Sequence, residues 1–432
     1  MPTQHFTADS PRGMFIILPL KYDQPLDLAH LKSDRLGLPI IQNSPQFYST
    51  DFIQLMNHKC AENEGFVRRW VLDLPADTIV LDAPFTFSDF QVFIFNNGIA
   101  FVTAFLQYTN ADVHAVYEFL QPGYTKKVGA TLREAFIEQI EVKLINKLHP
   151  HLTWFTDDYR CPETDDGSAL TSYRSDLITK DAYRLNVAFA DQRFSSPEAI
   201  QQPTYNLHRM VDLNRDFTDT SEHDLAYVTG AKDVDDEQYG WGCAITSQEA
   251  SYIYATDDLN ASLPDAASDD LLLCMLVMYQ KYESMNINEK IHSRYMKADE
   301  RTPASVRDLK QEALNLIAYE TLAPSQISRW NNVSEIYRNL LDLTGVNETI
   351  AEVKDKITLL TDEQDRRDAA RDNAISMVIT VFGLVSIISA ILQTVDYLDS
   401  RSPVMWVSFI GSLAVVLVFG IYLGMRWTRK RG

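Results

Sequence analysis

The apolar residues of this chain fall in short runs until its C-terminal end, where they gather into two long blocks. Ala374 to Val395 (AISMVITVFGLVSIISAILQTV) and Val404 to Met425 (VMWVSFIGSLAVVLVFGIYLGM) are each 22 residues long without a charge. A helix needs roughly 20 such residues to cross a hydrocarbon core. Only Asp396 to Pro403 separates the blocks, which predicts a membrane hairpin. Upstream, Val346, Ile350, Val353, Ile357 and Leu360 follow alternating spacings of four and three, the a/d stripe of a helix that buries one seam. Asn347 through Val395 then predicts one helix of 49 residues, roughly 70 Å at 1.5 Å per residue. Its seam is expected to pack on neighbouring helices of the same chain and on copies of itself, because one helix cannot bury a stripe alone.

The rest of the pattern is mixed. Gly13 to Leu20 is a short apolar run ended by Pro19, and Arg69 to Leu74 and Thr78 to Leu81 read as two more short strands. Phe90 to Phe95 and Ile99 to Leu106 flank Asn96-Asn97-Gly98, a turn whose residues tolerate positive φ, and so predict a β-hairpin. Ala111 to Leu120 predicts a short helix. Ala130 to Leu148, apolar at every fourth position from Leu132, predicts a longer one. Residues 155 to 239 are polar and weakly periodic, and read as an insertion. A second hairpin is expected at Tyr239–Ile245 and Ala250–Ala255. Helices follow, one capped by Ser268 with Asp269-Asp270 in its first turn, one opened by Thr302-Pro303, and one from Pro324 to near Gly345. This predicts an α+β cytoplasmic domain at 1–267, a helical and stalk region at 268–373, and a transmembrane hairpin with a basic tail at 374–432.

Charge gives the hairpin a direction. Arg366, Arg367 and Arg371 precede the first block, Arg426, Arg429, Lys430 and Arg431 follow the second, and the connection holds Asp396, Asp399 and one Arg401. The positive-inside rule then places both termini in the cytoplasm. The formal charge of −20 is uneven: residues 366–432 carry +4, leaving −24 on residues 1–365. A body that acidic repels nucleic-acid backbones, so no direct nucleic-acid partner is expected. Four scattered cysteines without CxxC spacing fit a reducing compartment, and the N-terminus has no signal-peptide pattern.

Enzyme chemistry finds no foothold: the chain has no GxSxG, HExxH, GxxxxGK[ST] or strand-borne GxGxxG. His149-Pro150-His151 and acidic pairs such as Asp257-Asp258 are the nearest approach to a metal ligand set, and both read more simply as loop residues. A divalent cation or a nucleotide therefore remains an open ligand class. For a nucleotide, Arg174, Arg184, Arg193 and Arg209, interleaved with tyrosines, supply guanidinium groups that can pair with phosphate. In the first block Ser376, Thr380, Gly383, Ser386, Ala390, Gln393 and Tyr397 form a small, weakly polar stripe. Such a face either lines a pore or seats a neighbouring helix. In the first case Asp396 and Asp399 would ring the outer mouth, and Arg366, Arg367 and Arg371 would form a collar at the inner one.

The order of parts resembles the CorA-like metal-ion transporters: a cytoplasmic α/β body, helices against a long stalk, two spans and a basic tail. The resemblance is one of plan over the whole chain, strongest from Ser268 to Gly432. It implies a homopentamer in a bacterial plasma membrane, with the first span lining a central pore. The family closes its first span with Gly-Met-Asn, which helps bind the hydrated cation; here the place reads Gln393-Thr394-Val395-Asp396-Tyr397. A divergent branch without that motif accompanies type III CRISPR systems as membrane effectors switched by a nucleotide second messenger, and this chain is similar to it in plan. A cation transporter with a replaced motif and a non-conducting membrane anchor are the other two readings.

Overall fold

The computed structural model describes residues 5–22, 47–57, 65–72, 74–75, 78–120, 127–146, 151–155, 176–216, 224–235, 237–255, 262–296, 303–400, 407, 410, 411 and 414. Among these, side chains 127–130, 294–296, 303–306, 319, 363–364, 367–368, 390 and 393–400 are not described. The chain divides into two compact units, Met1–Lys354 and Asp355–Gly432.

The first unit is built on β1 (Pro11–Lys21), whose residues from Arg12 to Leu20 are all buried. A strand without a solvent face must be covered on both sides. It pairs antiparallel with β4 (Ile99–Thr109) on one edge and β6 (Tyr183–Ala190) on the other, with Arg12 opposite both Tyr108 and Ala188. Outward from β4 lie β3 (Thr86–Phe95) and β2 (Val67–Leu72). Outward from β6 lie β9 (Glu249–Ala255), β8 (Trp241–Ile245) and β7 (Ala226–Thr229). Among the neighbouring strands only β6 and β9 run parallel. The short β5 (Thr153–Trp154) pairs with β1 at Leu20 and Lys21, beyond the end of β6. Pro19 sits inside β1 rather than ending it. Its carbonyl accepts from the Phe155 N–H, so its missing N–H also faces the flank that β6 has already left.

Helices cover both faces. On one, α2 (Val113–Leu120) and α3 (Lys127–Ile140) pack Phe119 and Phe136 on Met14, Ile16, Phe87 and Leu106. Further along that face, α4 (Pro197–His208) seats Ile200 and Leu207 on Ala188 and Ile253. On the other face α6 (Ser268–Met296) stacks Tyr279 on Phe95 at 4.2 Å and sets Tyr282 edge-on to Phe101. The α+β reading therefore holds, as a mostly antiparallel sheet between two helical layers. Gly98 closes the β3–β4 hairpin at φ 97°, where an added Cβ would also meet the Tyr22 carbonyl oxygen at 2.8 Å.

Several elements differ from the sequence reading. Residues 78–81 form no strand. Instead Gln139 both accepts from the Val80 N–H and donates to its carbonyl, and Lys143 donates to the Thr78 carbonyl. One amide side chain thus does the work of a neighbouring strand. The helix expected to Leu148 passes into a π turn at Glu141–Ile145, which buries Leu144 and Ile145 together. Residues 155–239 are not an insertion, since β6, α4 and β7 lie within them and β6 is a central strand. Ser268 does not cap α6. The helix α5 (Leu263–Ala266) precedes it directly, Ser262 is the N-cap there, and the Ser268 hydroxyl donates back to the Asp265 carbonyl. After α7 (Pro303–Asn315) and a π turn at Leu316–Glu320, the helix begun at Pro324 is α8 (Pro324–Ile327). It breaks at 328–330 before α9 (Asn331–Leu343). Gly345, at φ 74°, ends that run.

The last helix, α10 (Val346–Ser400), is one unbroken element of 55 residues. Its first turns belong to the first unit, where Val346 and Val353 are fully buried. In the second unit it continues through Ala369–Ser389, a stretch of 21 residues with mean hydropathy 1.7 and no part buried.

Candidate functional site

Two sets of residues carry chemistry: the apolar length of α10 and a buried polar seam in the sheet. Ala369–Ser389 is long and apolar enough to cross a membrane, and it is the single such helix among the described residues. Met377, Val378, Phe382 and Leu392 are 54–70% exposed. A contiguous apolar face of that size is not stable in water; it requires lipid or protein around it. Of the second expected span, only Val407, Ile410, Gly411 and Ala414 are among the described residues, all helical and exposed; the rest of Val404–Met425 lies outside them.

Within the stripe, Ser376, Gly383 and Ser386 are half-buried by their larger neighbours and Thr380 is exposed. The Thr380 hydroxyl donates to the Ser376 carbonyl at 2.7 Å. A hydroxyl satisfied one turn back is tolerated in hydrocarbon. Gln393, Asp396 and Asp399 lie on α10, which runs five residues past the expected end to Ser400. The two aspartates are thus helical rather than on a loop; their side chains and those of Ala390 and Tyr397 are outside the described set. Arg366 and Arg371 are exposed on the same helix, with Arg367 placed by backbone alone.

The polar seam collects several residues that sequence reading had scattered. On the sheet face beneath α4, Arg184 and Asn186 of β6 stand opposite Glu249 and Ser251 of β9. Glu249 is held by Arg184 at 3.3 Å, by His208 Nδ1 at 2.6 Å and by the Asn186 amide at 3.0 Å. Asn186 also donates to Ser251 at 2.9 Å. Burial alone pushes the Glu249 carboxyl up, but the Arg184 guanidinium, with His208 and Asn186, outweighs it and holds the group below its ordinary value. Alongside, the fully buried Arg12 donates to Asn110 at 3.0 Å and to the Val211 carbonyl at 2.8 Å, and lies over the Tyr108 ring at 5.2 Å. Asn110 passes the connection to Asp212 at 3.2 Å. Met210, at φ 50°, bends the chain after α4 back over these groups. The seam runs between the two apolar clusters on this face and ties β1, β4, β6, β9 and the exit of α4 together.

Of the four candidate phosphate-binding arginines, Arg174 lies outside the described residues. Arg184 is committed to Glu249, Arg193 pairs with Asp233 at 2.7 Å, and Arg209 sits at the C-terminal end of α4. Arg184 is thus part of the seam, while Arg209, next to His208 in sequence, is exposed. Arg193 is instead joined to the acidic loop after β7. Arg12, Asn186 and Glu249 were not legible as a site, because they lie far apart in sequence and only the pairing of β1, β6 and β9 brings them together. Arg184 and His208 were the signals visible in the sequence. His151 is exposed, while His149, Asp257 and Asp258 are outside the described residues. Among the described residues no group of three or more His, Cys, Asp or Glu side chains is arranged to hold a metal ion.

A second buried cluster joins the other face of the sheet to α6 and its neighbours. Tyr279 donates to Glu320 at 2.6 Å, and Asn97 of the β3–β4 turn donates to Tyr279 at 2.7 Å. Gln280 donates to the Glu320 carbonyl and to Tyr337. The π turn at Leu316–Glu320 is what brings Glu320 into this reach. No protein-family model, curated protein or solved structure matches the chain.

Proposed function

We propose that this chain is the subunit of an oligomeric membrane channel of CorA-like plan, with an acidic cytoplasmic body and a pore built around the first span. The observation that carries the reading is α10: one helix rooted in the body at Val346 and Val353 that continues, unbroken, into a wholly uncovered apolar stretch. Such a helix links a body to a membrane segment without an intervening loop. Homo-oligomerisation would cover Ile350 and Leu360, which the single chain leaves half-buried. In this reading both termini are cytoplasmic and the second span packs outside the first.

The missing Gly-Met-Asn separates two versions. In one, Gln393, Thr394 and Asp396 replace the motif in a cation transporter; in the other, the sharper reading, the chain is an effector gated by a nucleotide second messenger, of the type III CRISPR kind. The body, through Arg209 and the seam beside it, would receive the nucleotide. Ion flux from liposomes carrying the purified chain tests the proposal, with magnesium, sodium and candidate nucleotides added in turn. Flux that appears with a nucleotide, and that Gly383→Leu and Ser386→Leu reduce at least tenfold, supports the effector with a pore along the stripe. Flux of magnesium alone supports a transporter, and no flux under any condition makes the protein an anchor.

A further inference from the structure

We propose that the seam holds a small protonated oxyanion of the phosphate class, seated on the Nε–Nη2 edge of Arg12 and facing the side-chain oxygen of Asn186. Arg12 is 0% exposed, and its hydrogen bonds to Asn110 and to the Val211 carbonyl both leave from Nη1. Nε and Nη2 are buried with no hydrogen-bond partner, and Arg12 forms no ion pair among the described residues. These two nitrogens share one edge of the guanidinium plane, the edge that pairs with two oxygens of a single oxyanion. Arginine does not shed its proton, so the charge stays and calls for a counter-charge. The neighbours do not supply one. Arg184, with 11% side-chain exposure, is a second enclosed cation on this face, and Glu249 is bound to it. His208 adds no negative charge in either protonation state. Asp212 is exposed and reaches Arg12 only through Asn110. Two enclosed guanidinium groups thus share one enclosed carboxylate.

Asn186 offers the complementary half. Its amide nitrogen donates to Glu249 and Ser251 of β9, so its oxygen, on the other branch of the planar amide, is turned toward β1 on the opposite side of β6. That oxygen is likewise buried without a partner among the described residues. Met14 stands opposite Asn186 and Arg12 opposite Ala188, so the two orphaned groups are diagonal neighbours on one sheet face. Residues so placed stand roughly 7–8 Å apart. A group that accepts twice from Arg12 and donates once to Asn186 fits that pairing, and a protonated phosphate does both while carrying the missing charge. Enclosure sets its size. Val211 is half-buried and Asp212 exposed, which leaves the wholly covered Arg12 side chain one layer beneath the surface. A free ion suits such a seat, whereas the phosphate of a larger ligand requires the bend at Met210–Asp212 to be displaced. The ion is therefore separate from any nucleotide that gates the channel.

Thermal midpoints of the detergent-solubilised full chain, prepared without phosphate and compared at fixed ionic strength, test the seat. The midpoint should rise with the logarithm of the phosphate concentration. Sulfate has no proton for Asn186 at neutral pH and should need roughly tenfold more for the same rise. Arg12→Lys keeps the charge without the two-nitrogen edge and should abolish the response. Should that variant fail to fold, Asp212→Asn decides: it removes the nearest exposed negative charge and should tighten phosphate binding by roughly threefold or more in calorimetric titration. Asp51→Asn is the control, an exposed acid on α1 (Thr50–Asn57), which packs on α8 instead, and should leave binding unchanged. A midpoint that responds to phosphate no more than to chloride would mean that a water bridges Arg12 and Asn186, and would overturn the site. Undiminished binding in a folded Arg12→Lys, or equal effects of Asp212→Asn and Asp51→Asn, would overturn it too. Glycerol 3-phosphate acting at the same concentration as phosphate would overturn the free ion.

Discussion

Glu249→Ala should cost the body about 3–5 kcal/mol of stability, the usual loss when one partner of a buried ion pair is removed. The residue is 4% exposed and contacts two groups at once, Arg184 on its own sheet and His208 on α4. Without it a guanidinium with 11% side-chain exposure has no carboxylate, and the Asn186 amide loses an acceptor. Glu249→Gln keeps the shape and one acceptor oxygen, so it should lose less. The shift in urea midpoint of the detergent-solubilised chain, at constant slope, measures both. The pH dependence follows from the lowered pKa of Glu249. The pair contributes its full stability above the ordinary carboxylate value of 4.5 and loses it as pH falls through the lower native value. Glu249→Gln removes that acid-side loss. A midpoint unchanged in Glu249→Ala would mean that the seam is not what joins β6, β9 and α4.

The second large effect concerns the uncovered part of α10. Val381→Arg with Val385→Arg puts two charges one turn apart near the middle of Ala369–Ser389. On the insertion scale each costs about 2.5–3.5 kcal/mol at a span's centre. Combined with Gly411→Arg and Ala414→Arg in the second block, they should move the chain from the lipid-floating fraction to the soluble or aggregated one on a density gradient. Leu359→Arg, at a position 68% exposed and upstream of the stretch, should leave the distribution unchanged. Flotation of that quadruple variant like the parent would show that neither block is what holds the chain in the bilayer.

These effects divide along the line between what the sequence makes legible and what only folding brings together. The Phe90–Leu106 hairpin could be read because turn chemistry at Gly98 and flanking β-branched and aromatic residues agree locally. The long C-terminal helix could be read because an unbroken apolar or heptad pattern has one structural solution. The strand β6 could not. Tyr183 to Val187 alternate apolar and polar over five residues only, and the polar positions Arg184 and Asn186 enter the buried seam rather than solvent. Residues 78–81 failed for the opposite reason: they have strand-like side chains, but Gln139 of α3 satisfies their backbone from one side. Asp270 has the signature of a favourable helix start, an acid in the first turn. Its hydrogen bond from the Tyr254 hydroxyl comes from a strand that no local pattern ties to that helix. The candidate arginines show the same limit, since sequence spacing could not reveal that Arg184 and Arg193 already have carboxylate partners.

The most direct test of the central claim, that α10 carries the body's chain into the membrane, is cysteine labelling in sealed vesicles. Cys243 and Cys274 are buried and can remain, with Cys60 and Cys161 replaced. The account predicts that V381C is unreactive toward a membrane-impermeant maleimide from either side, while R366C reacts from the cytoplasmic side alone. Labelling of V381C as fast as R366C would contradict it.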